Sequence, residues 1–135
     1  MNRALIVNPP QQLHVTKDMA GSYGVETGPG VVLPSLDLIY HAQTLRKKYE
    51  IQFFDLQAWP DQRGDFFSAL AEQPSSIVLV LVSVLTAEND LEFIRAIKEA
   101  APESVVFPKL SHDDQSGRRC KRDWPRGCCS AKRNC

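Results

Sequence analysis

The sequence lacks the features that mark several common classes of protein. Its longest apolar run, Ile77 to Val82, is far shorter than the roughly 20 residues that a membrane-spanning helix needs. Neither glycine-rich phosphate-binding pattern, G-x-G-x-x-G or G-x-x-x-x-G-K-[ST], occurs, which disfavours dinucleotide binding. The N-terminus has no signal-peptide pattern, because Arg3 is a lone charge and no small-residue cleavage site follows the first apolar run. We therefore expect a cytoplasmic protein that has no membrane partner.

Cysteine is absent before Cys120, and the formal net charge is zero. The charges are unevenly distributed along the sequence. Residues 1–107 contain 8 Lys and Arg and 13 Asp and Glu, whereas residues 108–135 contain 8 Lys and Arg and 3 Asp and Glu. The second stretch is basic and aperiodic, so we predict a disordered tail over 108–135 that binds no nucleic acid, after a domain over 1–107. Its cysteine spacing does not match the C-x₂₋₄-C pairs of zinc sites, so no metal site is predicted. The cysteines are Cys120, Cys128, Cys129 and Cys135.

The first 107 residues alternate strand-like and helix-like patterns. Ile77 to Val82 is typical of a strand buried on both faces, and the serine at 35 and the threonine at 86 can each cap a helix. Strands that alternate with helices imply right-handed crossovers and a parallel sheet covered on both faces. We therefore predict an α/β fold, a doubly wound Rossmann-like or flavodoxin-like parallel sheet of four strands, and by analogy with this fold we expect the strand order 2-1-3-4. The predicted strands are 4–7, 50–56, 77–82 and 104–107, and the predicted helices start at about 35, 65 and 86.

In doubly wound sheets, ligands bind outside the carboxyl ends of the strands, where the strand order reverses. These ends are uncharged here apart from Asp55. Asp55 could bind a ribose, or it could close its strand by accepting hydrogen bonds from loop amides. Ser83 and Thr86 could hydrogen-bond a ligand, while Thr86 is equally explained as a helix cap. The three histidines are scattered among loop, helix and tail and suggest no catalytic triad.

Four features of the first 107 residues follow one another in a recognisable order. A strand ends in N-P-P, a P-x-L-x-L-x-Y-x-A-x-x-L helix follows, a second strand ends in Asp, and a later strand ends in a Ser/Thr-bearing loop. They lie in "ALIVNPP" (4–10), "GPGVVLPSLDLIYHAQTLRKKYEIQFFDLQA" (28–58) and "SIVLVLVSVLTAENDLEFIRAIKEAAPESVVF" (76–107). Together they resemble the N-terminal cobalamin-binding domain of cobalamin-dependent radical S-adenosylmethionine enzymes.

The resemblance implies that cobalamin is the cofactor and that its corrin is the partner bound at the strand ends. Asp37 stands where the family usually has a small residue, and Tyr49 where it commonly has a glycine. The D-x-H-x-x-G motif that supplies a histidine to cobalt is absent. The cofactor-binding residues expected from the resemblance are Asn8, Pro9, Pro10, Pro34, Leu36, Asp55, Ser83, Val84, Leu85 and Thr86.

In full-length relatives, a barrel bearing C-x₃-C-x₂-C holds the iron–sulfur cluster and S-adenosylmethionine, and the corrin transfers a methyl group or assists radical chemistry. This sequence has no such motif, so we expect the chain not to be catalytic alone. The stretch from 108 onward does not resemble the family, and we interpret it as the tail of a truncated or frame-shifted product.

Two other interpretations stay open. The chain could be a flavodoxin-like or receiver-like binding module without catalysis. A receiver needs an acidic cluster at the end of the first strand, which "IVNPP" does not offer, whereas a flavin-binding module would be yellow when purified. The chain could also be an incomplete domain without a function.

The predicted fourth strand lies at an edge of the sheet. We expect Pro108 to end it and Val105, Val106 and Phe107 to expose apolar surface beside unpaired backbone groups. Such an edge favours self-association. We therefore expect a marginally stable protein from which trypsin rapidly removes the tail.

Overall fold

A four-stranded sheet forms the centre of the computed structural model, which describes residues 3–12, 35–74 and 76–110. The strands and helices in chain order are β1 (Arg3–Asn8), α1 (Leu36–Leu45), β2 (Glu50–Asp55), α2 (Arg63–Glu72), β3 (Ile77–Val82), α3 (Ala87–Ala100) and β4 (Val105–Leu110). All three strand pairings are parallel, and the order is β2-β1-β3-β4. These observations confirm the predicted α/β class, the Rossmann-like parallel sheet and the strand order.

The helices cover the two faces of the sheet unequally. Successive residues of a strand point to opposite faces, and β1 accordingly divides its side chains between two clusters. Leu5 and Val7 pack in the larger cluster with residues of α2 and α3, whereas Ile6 packs with Leu38 of α1 on the opposite face. The central strands are thus buried on both faces, which explains their continuous aliphatic sequence.

Four aromatic rings dominate the face covered by α2 and α3. Phe66 is fully buried, and its ring centroid lies 5.4 Å from that of Phe54, 5.1 Å from that of Phe67 and 5.5 Å from that of Phe93. The first two contacts are edge-on, an arrangement that the ring quadrupoles favour. This cluster packs α2 against β2 and α3 against α2.

Helix α1 starts where the sequence predicts. Ser35 has an extended backbone, and its hydroxyl accepts a hydrogen bond from the backbone N–H of Leu38 at 3.4 Å. Asp37 lies in the first turn, where a negative charge stabilises the positive end of the helix dipole. The N-cap prediction for Ser35 is confirmed.

Strand β4 continues beyond the proline that was expected to end it. The backbone N–H of Val105 donates to the carbonyl of Ser76, so the backbone groups of Val105 and every second residue after it point toward β3. Pro108 is out of phase with these residues, and the position of its missing N–H points away from the sheet. A proline is tolerated there because an edge strand needs no donor on its outer side. The expectation that β4 ends before Pro108 is therefore wrong.

The apolar exposure expected on β4 is present in part. Val105 and Phe107 are 49% and 45% exposed, whereas Val106 is 8% exposed because it packs with the α2–α3 cluster on the opposite face. Beside Phe107, an apolar groove of about 360 Å³ lies between α1 and β3, and His41 contributes to its lining. The expectation for Val106 is wrong, since alternate residues of one strand face opposite sides of the sheet.

Some predictions concern residues outside the described ranges. Pro34 and the tail that was predicted to be disordered, with its cysteines, lie outside them, apart from residues 108–110, which belong to β4. Within the described part of the chain, no helix is both long enough and apolar enough to cross a membrane.

Candidate ligand site at the carboxyl edge of the sheet

The strand order places the candidate site between β1 and β3. From β1 the chain crosses to β2 on one side, and later returns to add β3 on the other side. The loops that leave β1 and β3 therefore diverge, and a crevice opens between them at the carboxyl edge. Three described segments surround this crevice: the residues after β1, the turn after β2 and the 3₁₀ turn Val84–Thr86 after β3.

A buried polar network joins the ends of β1 and β2. Asn8 lies opposite Asp55 in the parallel ladder, and the Nδ2 atom of Asn8 donates to Oδ1 of Asp55 at 3.0 Å. The Nε2 atom of Gln57 donates to Oδ1 of Asn8 at 3.2 Å. Oδ1 of Asp55 also accepts from the backbone N–H groups of Gln57 at 3.2 Å and Ala58 at 3.4 Å.

This network holds the loops in place at the edge. Asn8, Asp55 and Gln57 are each no more than 5% exposed. Their side chains therefore form hydrogen bonds mainly with one another and with the backbone, and they contact little solvent. The bonds from Gln57 and Ala58 are those of a carboxylate that closes its strand, which is one of the two roles considered for Asp55. Chemically, the network joins two side-chain amides and one carboxylate by hydrogen bonds and so fixes the loops around it.

The end of β3 is held by a second buried carboxylate. Asp90, in the first turn of α3, has no exposed surface, and its Oδ2 accepts from the backbone N–H of Ser83 at 3.0 Å and from Oγ1 of Thr86 at 2.6 Å. The hydroxyl of Ser83 accepts from the N–H of Leu85 at 3.4 Å. Thr86 occupies the N-cap position of α3, but its side chain makes no capping hydrogen bond. Both hydroxyls therefore hold the turn itself.

Apolar side chains are exposed around the crevice. Val84 is 66% exposed and Leu85 is 69% exposed in the turn after β3. Leu36, at the start of α1, is 57% exposed, and Trp59, after β2, is 61% exposed. Full burial of one such side chain contributes about 1.5–3 kcal/mol of favourable free energy. Four exposed apolar side chains at one edge therefore favour a ligand with apolar surface.

A cleft of about 630 Å³ lies between the segment after β1 and the start of α3. This volume is in the range of small-molecule sites, which runs from about 300 to 1,000 Å³. Its described lining combines two exposed apolar side chains, three side-chain amides and two carboxylates, and includes no lysine or arginine. These lining side chains are Val84, Leu85, Gln11, Gln12, Asn89, Glu88 and Glu92.

Acidic residues also lie in the first turns of the helices that begin at this edge. Asp37 lies in the first turn of α1, Asp65 in that of α2, and Glu88 and Asp90 in that of α3. Doubly wound proteins commonly bind phosphate at such helix N-termini, where backbone N–H groups and the dipole attract an anion. Carboxylates at these positions repel a phosphate and favour a neutral or cationic ligand.

The structure brings together most of the residues predicted from the resemblance. Asn8, Pro9, Pro10 and Asp55 lie at the ends of β1 and β2, Ser83, Val84, Leu85 and Thr86 follow β3, and Leu36 begins α1. Among the described residues, no group of three or more His, Cys, Asp or Glu side chains could hold a metal ion. His41 faces the apolar groove beside α1, away from the cleft.

Sequence reasoning missed four polar residues of this edge: Gln11, Gln57, Asn89 and Asp90. Asp90 is four residues after Thr86, a spacing that brings side chains together on a helix, and this was an available signal. Gln57 is two residues after Asp55, a separation at which Asp side chains often bond the backbone. Gln11 gave no local signal, because its partner is 79 positions away.

Comparisons with protein-family models, curated proteins and solved structures find no match to this chain. The argument for its function therefore depends on the geometry described above.

Proposed function

We propose that this domain binds cobalamin, with the corrin seated at the carboxyl edge of the sheet. The observation that carries the proposal is the lining of the crevice: exposed apolar side chains, neutral amides, two carboxylates and no described cation. A corrin is a broad, largely apolar macrocycle whose rim bears amide groups, and so it presents the complementary chemistry. Amide side chains suit such a rim because each offers both hydrogen-bond donors and acceptors.

The residues present fit this group in three ways. Val84 and Leu85 would cover part of the macrocycle, and this would remove apolar surface from water. Gln11 and Asn89 would face amide groups of the rim. The Asn8–Asp55 pair already has hydrogen-bond partners within the protein, so a neutral ligand that covers it leaves none of these donors unsatisfied.

When bound, cobalamin supplies methyl-transfer or radical chemistry. In this proposal the chain itself binds and orients the cofactor and is not catalytic alone. The iron–sulfur cluster and S-adenosylmethionine belong to full-length relatives of the family that the sequence resembles.

The direct test is a titration of the purified chain with hydroxocobalamin, followed by the corrin absorbance and by the corrin retained after desalting. We expect a spectral change that saturates. No spectral change and no retained corrin at high micromolar concentration would contradict the proposal.

A pair of matched variants locates the site. Val84→Glu places a carboxylate at the proposed corrin surface, whereas Val105→Glu makes the same change on β4, at a similarly exposed residue. Because burying an unpaired charge is costly, we expect Val84→Glu to weaken hydroxocobalamin binding at least about tenfold. Val105→Glu should bind as the wild type does, and equal weakening by both variants would place the corrin elsewhere.

Flavin binding is the second candidate, because flavodoxin-like sheets share the order 2-1-3-4 over their first strands. Flavin mononucleotide carries a phosphate monoester with about two negative charges, against one on the phosphodiester of cobalamin, and it would meet the carboxylates of Glu88 and Glu92 if it entered the cleft. A colourless preparation that leaves the absorbance and fluorescence of added flavin mononucleotide unchanged would exclude this candidate.

A further inference from the structure

Two side chains connect the segment after β1 to helix α3. The Nε2 atom of Gln11 donates to Oδ1 of Asp90 at 2.7 Å, and the Nδ2 atom of Asn89 donates to the carbonyl of Pro10 at 2.8 Å. Each bond joins residues that are 79 positions apart in the chain. Gln11 and Asn89 both line the cleft, so these bonds join the two segments that border it.

The same carboxylate also holds the opposite wall. While Oδ1 of Asp90 accepts from Gln11, Oδ2 accepts from the backbone N–H of Ser83 and the hydroxyl of Thr86. Asp90 is fully buried, and hydrogen bonds to an ionised acceptor are among the stronger ones in proteins. The Asp90 side chain therefore bonds to both walls of the cleft.

The segment after β1 depends on such tertiary bonds because of its sequence. Pro9 and Pro10 have no backbone N–H and cannot extend the ladder of β1. The described contacts that anchor this segment to α3 are the carbonyl of Pro10 and the side chain of Gln11. Without them, the fixed φ angles of the two prolines restrict the direction in which the chain leaves the sheet but do not attach it to α3.

We infer that Asp90 is a positioning residue of the ligand site: through Gln11 it holds the segment after β1 in the orientation that binding requires. This inference rests on the proposed function for its ligand. Asp90 is not among the site residues that the resemblance implies. We infer that the hydrogen bonds from Gln11 and Thr86 to Asp90, here called the Gln11–Asp90–Thr86 relay, keep the cleft in its shape before a ligand binds.

The chemistry of the relay allows a reversal test. Gln11→Glu places a carboxylate 2.7 Å from the Asp90 acceptor and replaces the donor, so the segment should be repelled from α3. Adding Asp90→Asn restores the bond with the roles exchanged, since the asparagine Nδ2 donates to the new glutamate. The asparagine Oδ1 still accepts from Ser83 and Thr86.

Binding of hydroxocobalamin is the first measurement. We expect Gln11→Glu to raise the dissociation constant about tenfold or more, and the Gln11→Glu/Asp90→Asn pair to return it to within about threefold of the wild-type value. A residue with a merely structural role would not show this rescue. Ser104→Ala serves as a control, because it removes a buried hydrogen bond to Ala101 at the other end of the sheet and should leave binding unchanged well below its melting temperature.

The second measurement needs no ligand. The ¹⁵N relaxation order parameters of the Gln11 and Gln12 amides should fall toward values of flexible backbone, below about 0.6, in Gln11→Glu and recover in the double variant. If wild-type protein does not bind hydroxocobalamin, the proposed function fails and these order parameters still test the relay. Unchanged order parameters or wild-type affinity in Gln11→Glu, or no recovery in the double variant, would overturn the inference.

Discussion

Removing the Asp55 carboxylate should destabilise the domain through the groups that it leaves unpaired. In Asp55→Ala, the Asn8 amide and the backbone N–H groups of Gln57 and Ala58 lose their shared acceptor. Asn8 and Gln57 are no more than 5% exposed, so water cannot readily replace the carboxylate. The effect therefore depends on desolvated donors and not on a surface charge.

The size of the effect follows from these contacts. A buried polar group left without a partner costs about 1–3 kcal/mol. The Asn8 bond is short at 3.0 Å, and the two backbone bonds are longer at 3.2 and 3.4 Å, so we expect a loss of about 3 kcal/mol in the free energy of unfolding. For a domain of this size, that lowers the melting temperature by about 8–15 °C.

Asp55→Asn distinguishes the loss of the acceptor from the loss of the charge. The asparagine keeps an acceptor oxygen for the three donors, loses the charge and replaces Oδ2 with an NH₂ group, so we expect a loss of about 1 kcal/mol. Asp61→Ala removes an exposed carboxylate from the nearby 3₁₀ turn Pro60–Gln62 and should change stability by less than about 0.5 kcal/mol.

Urea unfolding followed by far-UV circular dichroism measures all three variants, provided that the slope with denaturant stays constant. Equal losses for Asp55→Ala and Asp55→Asn would show that the charge, and not the acceptor, is what matters. A loss below about 0.5 kcal/mol for Asp55→Ala would refute the argument that these donors depend on it.

The remaining predictions concern the core and the β4 edge. Phe66→Ala should lower the free energy of unfolding in urea by about 3–5 kcal/mol, because Phe66 is fully buried among three rings. Phe53→Ala, at a residue that is 39% exposed, should lower it by less than half as much. Equal losses would contradict the packing argument. We propose that the chain self-associates through β4, so replacing Val105 and Phe107 together by threonine should lower the weight-average mass in sedimentation velocity. Pro108→Val should raise that mass, because it adds an outward N–H donor to the edge; no change in either variant would assign the association to another surface.

The local sequence pattern was sufficient to predict those features that depend on residues within a single strand or helix. The aliphatic run Ile77–Val82 is a strand with the predicted bounds, because a run of that length and composition is stable only when both faces are covered. The Ser35 cap is equally local, since its acceptor and the donor of Leu38 are three residues apart. The strand order was predicted by analogy with doubly wound folds and is confirmed.

Only the pairing of β4 with β3 determines which residues of β4 point their backbone groups away from the sheet. In the sequence, Pro108 predicts the end of a strand, because proline cannot donate to a ladder. In the fold, the hydrogen bond from Val105 to Ser76 determines which residues face β3, and Pro108 is not among them. The same alternation buries Val106 and exposes Val105, a difference that their identical side chains could not reveal.

The site shows the same division between local and tertiary information. Asn8, Asp55 and the residues after β3 were identifiable because each follows a strand, and parallel strands bring their carboxyl ends to one edge. Asp90 read as a helix residue, and Gln11 read as part of a loop. Only the tertiary structure makes them partners, because the bond between them joins positions 79 residues apart and forms once β1, β3 and α3 have packed.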